Sequence, residues 1–284
     1  IANQPDAIRK WLCRYERGAA LQLAFEPTST YHMALVKAAL QRKIELYSIN
    51  PRQIHHYRYS VGLRHKSDPH DAWLLARYLA HEAAALRPYQ PQDERLQRLW
   101  ALLKRRAKVV KARQQLQQSL MDVGVSCQAA LTQLERLIKR MDRLIERLLD
   151  ALELREDYQR CRTAPGIGPL TAAAMVAAYH RGVFASADAF VAYFGLDVRV
   201  RDSGRKRGRR KLTKHGDPEV RRLLFCGSHA ARYDPCFAAY YQKQMDKGLC
   251  ATAARVVLMR KQVRIVFALL SKKEIYRPMA SGVA

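Results

Sequence analysis

Short apolar runs and longer helical stretches alternate along the first ninety residues. Leu21, Leu23 and Phe25 lie two residues apart and predict a strand that points them to one side. This strand ends at Glu26 and is stopped by Pro27. The surrounding predicted elements are helices over residues 5–17, 30–42 and 69–81 and a second strand over residues 43–51. Their order predicts an α/β layer with at least some parallel strand pairing.

The next seventy residues have a purely helical pattern. The helix predicted over residues 93–120 is polar and basic with a thin apolar stripe. Residues 128–158 instead carry apolar side chains at alternating steps of three and four, which is a heptad seam. An antiparallel hairpin within one chain and a coiled coil between two chains would both produce it. The seam residues are Leu131, Leu134, Ile138, Met141, Ile145, Leu148 and Leu152.

The last part of the chain is predicted to be mostly helical, interrupted by a basic loop over residues 199–216. The predicted helices lie within residues 163–180, 184–196, 217–232 and 250–271. We therefore expect three parts, namely an α/β domain over residues 1–90, a helical coiled-coil segment over 91–160 and a mostly helical C-terminal domain over 161–284.

The charge of the chain indicates its class of partner. It has 51 Lys and Arg against 25 Asp and Glu, a formal net charge of +26, which favours a polyanion and above all nucleic acid. A membrane partner is not expected, because the sequence lacks a run of about 18 apolar residues and a lipidation motif. The opening "IANQPDAIRKWL" does not resemble a signal peptide. Six scattered cysteines without a CxxC pair suit a reducing cytoplasm rather than a zinc site or a disulfide framework.

Three carboxylates are candidate metal ligands. Asp68 is predicted to cap the helix that follows it, with Pro69 in the first helical position and Asp71 near the positive end of the helix dipole. Glu26 lies at the carboxyl end of a strand, where α/β sheets place their sites. If the three converged, each pair would repel by about 4 kcal/mol at a separation of ~4 Å. We therefore expect a divalent cation there, and oxygen ligands suit Mg²⁺ or Mn²⁺.

The basic loop carries a serine among many cations. Ser203 and Gly204 precede the densest run of "VRVRDSGRKRGRR". Arginine binds phosphate through two parallel hydrogen bonds and stabilises developing negative charge, although a solvated loop with an incidental turn is the simpler interpretation. The candidate nucleic-acid contacts are Arg199, Arg201, Arg205, Lys206, Arg207, Arg209, Arg210 and Lys211.

Two further motifs have open interpretations. The turn at Gly166 and Gly168 is similar to the hairpin of helix-hairpin-helix modules and suits either phosphate contact or tight packing. The histidines near residues 55–70 match no zinc spacing, so contact with a nucleic-acid backbone or simple solvation is expected. Their neighbours Tyr57, Arg58 and Tyr59 could stack on bases or pack inside the protein. The histidines are His55, His56, His65 and His70.

Six motifs in a fixed order resemble one protein family. They are "FEPTSTYH", "INPRQIHHY", "GLRHKSDPHDAWLLARYL", "TAPGIGPLTAAAMVA", "FVAYFGLDVRVRDSG" and "KHGDPEVRRLLF". Together they are similar to the transposases of the insertion-sequence-110 family, the Piv-invertase-like DEDD recombinases. The resemblance extends over nearly the whole chain.

The resemblance implies an RNase H-like (RuvC-like) N-terminal domain with four catalytic, metal-binding carboxylates. Glu26 matches the second of these, and Asp68 and Asp71 match the third and fourth. The first is an aspartate on an opening strand, whereas Asp6 lies at the start of the helix predicted over residues 5–17. We therefore expect a truncated or degenerate chain that lacks one ligand of the Mg²⁺ or Mn²⁺ site and whose own catalysis is in question.

The resemblance also implies a serine nucleophile in the C-terminal domain, which matches Ser203 in its Ser-Gly motif. Ser228 is the rival, but it lies inside a predicted apolar helix, where serine usually bonds to the backbone. The family implies a DNA transposase guided by a structured RNA, which assembles as dimers and tetramers in the bacterial cytoplasm near the nucleoid. The alternatives are a non-catalytic nucleic-acid-binding coiled-coil protein and a metal-only nuclease for Holliday junctions.

Overall fold

The computed structural model of the protein describes residues 1–15, 21–27, 31–63, 67–200, 202–204, 206–208 and 210–278. Contacts divide the chain into two compact units, Ile1–Pro91 and Gln92–Ala284. The described first unit contains helices α1 (Pro5–Leu12), α2 (Met33–Gln41), α3 (Pro51–Ser60) and α4 (Asp68–Glu82), strands β1 (Gln22–Phe25) and β2 (Glu45–Ser48), and a turn of 3-10 helix at Ala83–Ala85. The three-part division of the sequence stays a prediction.

Strands β1 and β2 pair in parallel, with Gln22 opposite Glu45 and Phe25 opposite Ser48. Helix α2 connects the two strands, which gives the expected β-α-β order. The N–H of Ile49 donates to the carbonyl of Phe25 at 2.9 Å and extends the pairing beyond β2. The parallel pairing that the pattern predicted is therefore present.

Alternate side chains of β1 pack on opposite faces of this sheet. Leu23 and Phe25 contact a core that includes Val36 of α2, as their two-residue spacing predicted. Ala24 lies on the other face against a cluster that includes Leu74 of α4. Helices therefore cover both faces, and the chain leaves the buried strand at Glu26.

Helix α3 occupies a basic stretch that the apolar pattern did not assign to a helix. Its start is well specified, because Pro51 is in the first turn and the Asn50 side chain accepts a hydrogen bond from the Arg52 N–H at 2.9 Å. Ile54 is the buried residue of α3. A single buried position is too weak a periodic signal to predict a helix.

Asp68 does not cap α4, so that prediction is wrong. Ser67 has an extended backbone and its carbonyl accepts the N–H of Asp71 at 2.9 Å, which makes Ser67 the capping residue and Asp68 the first helical residue. The Ser67 hydroxyl lies 2.7 Å from Nδ1 of His70. Asp68 and Asp71 still lie in the first turn, where negative charge favours the helix dipole.

The described second unit is mostly helical. Its elements are helices α5 (Glu94–Ser119), α6 (Gln128–Ala151), α7 (Arg155–Arg162), α8 (Pro169–Arg181), α9 (Ala187–Tyr193), α10 (Pro218–Ala231), α11 (Pro235–Asp246) and α12 (Ala251–Lys272), and short strands β3 (Val198–Arg199), β4 (Asp202–Ser203), β5 (Lys206–Arg207) and β6 (Lys211–Leu212). Helix α11 was not predicted, although the side chain of Asp234 caps it through the N–H groups of Cys236 and Phe237.

Helices α5 and α6 form an antiparallel hairpin within the chain. The guanidinium of Arg106 binds both carboxylate oxygens of Asp142, and Nη1 of Arg95 donates to the carbonyl of Ala151 at 2.7 Å. Contacts that move forward along α5 move backward along α6, as an antiparallel pair requires. The helix predicted over 128–158 is broken at Glu153, which has a left-handed backbone with φ of 57°.

One hydrophobic core joins the base of this hairpin to the C-terminal helices. Leu99 of α5 and Leu149 of α6 are fully buried in it. Helix α8 is its centre, because every residue from Thr171 to Ala178 is buried. A helix that is apolar all round must be enclosed by other elements, and α5, α7, α10 and α12 contact α8.

Candidate active site

The positions of the three candidate carboxylates are set by the elements that carry them. Glu26 is half-buried directly after β1, and helix α4 packs against that strand. Asp68 is exposed and Asp71 is half-buried in the first turn of α4. Each therefore lies at the end of an element of the α/β layer, where the backbone itself positions the side chain.

Arg58 of α3 binds one of these carboxylates. Its Nη2 donates to Oδ1 of Asp71, and the two side chains are 12% and 32% exposed. Partial burial strengthens such a charged hydrogen bond relative to a surface pair. The sequence pattern left Arg58 open between base stacking and packing and did not indicate this ion pair, because a separation of thirteen residues gives no local signal.

The three carboxylates have the right chemistry to bind a divalent ion, but their side chains are not arranged as a metal site. Carboxylate oxygens are the donors that Mg²⁺ and Mn²⁺ prefer. Among the described residues, however, no three His, Cys, Asp or Glu side chains lie close enough together to hold a metal ion. Glu26, Asp68 and Asp71 are all described, so a complete site would require their side chains to rearrange.

Ser203 lies at the tip of a small β-hairpin rather than in a shapeless loop. Strands β4 and β5 pair Ser203 with Lys206 in antiparallel register, and β3 and β6 form an outer pair. Gly204 turns the chain with a φ of 54°, a conformation that glycine adopts without strain. Ser203 is exposed, so its hydroxyl is accessible to a large substrate.

Asp202 stabilises this hairpin through hydrogen bonds to residues beyond β5. Its carboxylate accepts two hydrogen bonds from the Arg210 guanidinium, at 2.9 and 3.0 Å, and one from the Gly208 N–H at 3.1 Å. The Arg210 guanidinium, and then the Gly208 N–H, hold the pKa of the Asp202 carboxyl below its ordinary value. Asp202 was not predicted as a site residue, although it is the sole acidic residue between Asp197 and Asp217 and its isolation among cations was a usable signal.

The candidate cations differ in what the structure describes of them. Arg199 and Lys211 are exposed cross-strand partners on the outer pair, and Arg210 is held by Asp202. Of Lys206 and Arg207, the backbone in β5 is described. The remaining candidates, which lie outside the described residues, are Arg201, Arg205 and Arg209.

Ser228 is enclosed in the protein interior. It is fully buried in α10, and its hydroxyl donates to the carbonyl of Phe225 at 2.7 Å. This is the backbone bond expected of a serine inside a helix. A DNA phosphate could not approach Ser228 without opening the core, whereas Ser203 is accessible.

The two candidate glycines serve different purposes. Gly166 has a φ of 74°, and a Cβ there would lie 2.1 Å from the carbonyl oxygen of Gly227. The turn therefore packs tightly against α10. Gly168 caps α8 with an ordinary extended backbone, and a Cβ there would meet nothing within 4 Å.

We expect Gly166→Ala to lower the free energy of unfolding by about 3 kcal/mol, because the new methyl group meets backbone and the conformation is strained. Gly168→Ala is the matched control and should cost less than about 1 kcal/mol. Urea unfolding of both variants measures the difference. Equal losses would contradict the packing role of Gly166, and weaker DNA binding by a fully stable Gly168→Ala protein would favour phosphate contact at α8.

The histidines do not form a metal group in the described chain. His55 and His56 are exposed on α3, and His70 lies beside the Ser67 hydroxyl. His65 lies outside the described residues. The expectation that these histidines hold no zinc stays a prediction.

Two family models match the chain. One for DEDD-type IS110 proteins, described as "Transposase", matches residues 1–123, and one described as "Transposase IS116/IS110/IS902 family" matches residues 158–242. The first match contains the candidate carboxylates and the second contains Ser203. The class of protein is thus a DNA transposase with a DEDD domain, which implies an RNase H-like fold and the cutting and joining of DNA. The chain belongs to the IS110 family of transposases.

Curated relatives agree with this assignment. The pilin gene-inverting protein of Moraxella bovis is 29% identical over 261 residues, which cover 89% of this chain and 80% of that protein. A probable family 20 transposase of Pseudomonas aeruginosa is 32% identical over 52% of this chain and 44% of that protein. An uncharacterized 42 kDa protein of insertion element IS900 from Mycobacterium paratuberculosis is 29% identical over 55% of this chain and 42% of that protein.

Within the described residues, no helix is both long enough and apolar enough to cross a lipid bilayer.

Proposed function

We propose that this chain is a divalent-metal-dependent DNA transposase or recombinase that uses Ser203 as its nucleophile. Glu26, Asp68 and Asp71 would hold Mg²⁺ or Mn²⁺. The main support is the position of Ser203, which is exposed at the tip of a hairpin that the Asp202–Arg210 ion pair holds together. A nucleophile needs both access and a fixed position, and this serine has both.

In the proposed reaction, Oγ of Ser203 gives up its proton and bonds to a DNA phosphorus, and the sugar oxygen on that phosphorus leaves and takes up a proton to become a hydroxyl. The new serine–phosphate bond keeps the strand end attached to the protein until another sugar oxygen displaces the serine. Exposed cations beside the hairpin, such as Arg199 and Lys211, would orient the phosphate and stabilise its charge. A divalent ion, when bound, would supply charge stabilisation for the attacking and leaving oxygens.

We further propose that a structured RNA guides the choice of DNA and that the chain acts as a dimer or tetramer. A net charge of +26 could accommodate RNA together with DNA. On the α5–α6 hairpin, Leu137 is 43% exposed and the seam residues Leu134 and Ile138 are only half-buried. These positions would suit a second chain, so that one chain's serine could work beside another chain's carboxylates.

One observation favours a second candidate function, which is nucleic-acid binding without cleavage. Asp71 is bound to Arg58, and the described side chains form no metal-holding group. A protein whose carboxylates only pair with cations would bind nucleic acid without cutting it.

The test incubates the purified chain with a plasmid that carries the DNA flanking its gene and with the RNA transcribed from that DNA. We expect strand transfer that requires both Mg²⁺ or Mn²⁺ and intact RNA, and binding that weakens steeply with salt because many phosphates are contacted. Ribonuclease-treated reactions are the control. Tight binding without cleavage under every condition would instead support the non-catalytic alternative.

A further inference from the structure

Helix α3 has two different faces. Ile54 is buried against Leu74, the ring of Tyr57 lies edge-to-face with Tyr78 at 5.0 Å, and Arg58 binds Asp71. These side chains hold the helix to the α/β layer. Tyr57 and Arg58 are therefore used for packing within the first unit.

The opposite face of α3 presents rings and positive charge to solvent. Arg52, His55, His56 and Tyr59 follow the spacing i, i+3, i+4, i+7 and therefore form one stripe along the helix. All four are exposed, and Tyr59 is 68% exposed. We call these four residues the α3 stripe.

The rings of the α3 stripe touch each other at their edges. The ring centroid of His55 lies 5.0 Å from that of Tyr59, with an interplanar angle of 82°, and 5.7 Å from that of His56, with an interplanar angle of 67°. An edge-to-face contact covers at most one face of either ring, so broad ring surface stays open. Open ring faces grouped beside a cation are the kind of surface on which unpaired bases stack.

We propose that the α3 stripe is a stacking platform for unpaired bases of a single-stranded nucleic acid. Its chemistry fits that partner, because the rings offer stacking surface, Arg52 offers a phosphate contact, and α3 contains no acidic residue that would repel the backbone. Paired bases expose their faces only at duplex ends, so the platform favours single strands. The inference rests on the proposed function in one respect, namely that the protein handles nucleic acid.

The test compares Tyr59→Ala with Tyr59→Phe and Gln53→Ala in the full chain. The Phe variant keeps the ring, and Gln53 is an exposed residue of the same helix without a ring. We expect Tyr59→Ala to bind unstructured oligo(dT) and oligo(U) about tenfold more weakly, which is the effect of losing one stacked base. Both control variants should bind as the wild type, and all variants should bind duplex DNA alike.

The outcomes separate the possible sources of the strand. A loss with oligo(U) alone assigns the platform to RNA, a loss with oligo(dT) alone assigns it to displaced DNA, and either supports stacking. Unchanged single-strand binding, or an equal loss for single strands and duplex, would overturn the proposal. If the wild type binds but never transfers strands, a selective effect of Tyr59→Ala would keep this inference while the proposed catalysis fails.

Discussion

Ser203→Ala is expected to eliminate the covalent protein–DNA adduct while DNA binding stays within about twofold of wild type, since one neutral side chain adds little to binding dominated by phosphate contacts. The adduct requires an oxygen nucleophile, and alanine has none. Strand transfer should fall by at least about a thousandfold, as is usual when a nucleophile is removed. The measurement traps the adduct with denaturant on end-labelled DNA and separates it by gel electrophoresis.

Two variants make this test specific. Ser119→Ala removes an exposed hydroxyl at the end of α5, which bonds to its own helix at 3.0 Å, and should leave the adduct unchanged. Asp202→Asn weakens the ion pair to Arg210 and should reduce the adduct without abolishing it, because the nucleophile is still present. Full adduct formation by the Ser203→Ala protein would transfer the role to a different residue.

Glu26→Gln and Asp68→Asn are each expected to lower strand transfer by about a thousandfold, because a divalent ion contributes several kcal/mol to phosphoryl transfer. Nucleic-acid binding should persist, since neither change removes a cation. Replacing Asp71 would in addition remove the carboxylate that the partly buried Arg58 binds. Strand-transfer yield against Mg²⁺ or Mn²⁺ concentration measures the effect.

Glu45→Gln provides the matched control for these carboxylate variants. Glu45 is an exposed carboxylate at the start of β2 and binds the side chain of Gln22 at 2.7 Å. The Glu45→Gln substitution makes the same chemical change as Glu26→Gln on the same small sheet, but away from the strand ends that carry the candidate site. Normal recombination by both Glu26→Gln and Asp68→Asn would refute the catalytic assignment.

Much of the fold was predictable because burial produces a regular pattern. The alternation at Leu23 and Phe25 gave a strand, and the three-and-four spacing from Leu131 onward gave a long helix, as the structure confirms. What failed was local detail that periodicity does not encode. The cap at Ser67 depends on backbone angles, and the break at Glu153 depends on a left-handed residue that carries no glycine or proline signal.

The candidate site was predictable as a set of positions but not as an arrangement. Motifs in the sequence name Glu26, Asp68 and Ser203 as candidates, and their membership of a site stays a prediction. The pairing of Arg58 with Asp71 and of Arg210 with Asp202 could not be read from the sequence, because opposite charges are abundant and only the fold selects partners. The roles of these residues in catalysis stay predictions until the variants are measured.

The base of the α5–α6 hairpin is buried in the core, so the rest of the hairpin forms a long arm that is anchored at one end. Lys104 of α5 lies 3.4 Å from Asp217, which caps α10 just after the strands that present Ser203. Close-packed interiors pass a displacement on instead of absorbing it, so a tilt of the arm would shift the core that holds its base. With 26 residues at about 1.5 Å each, α5 extends about 39 Å. A partner that binds the far end of this arm would therefore act on the core of the C-terminal helices from a distance of up to that length.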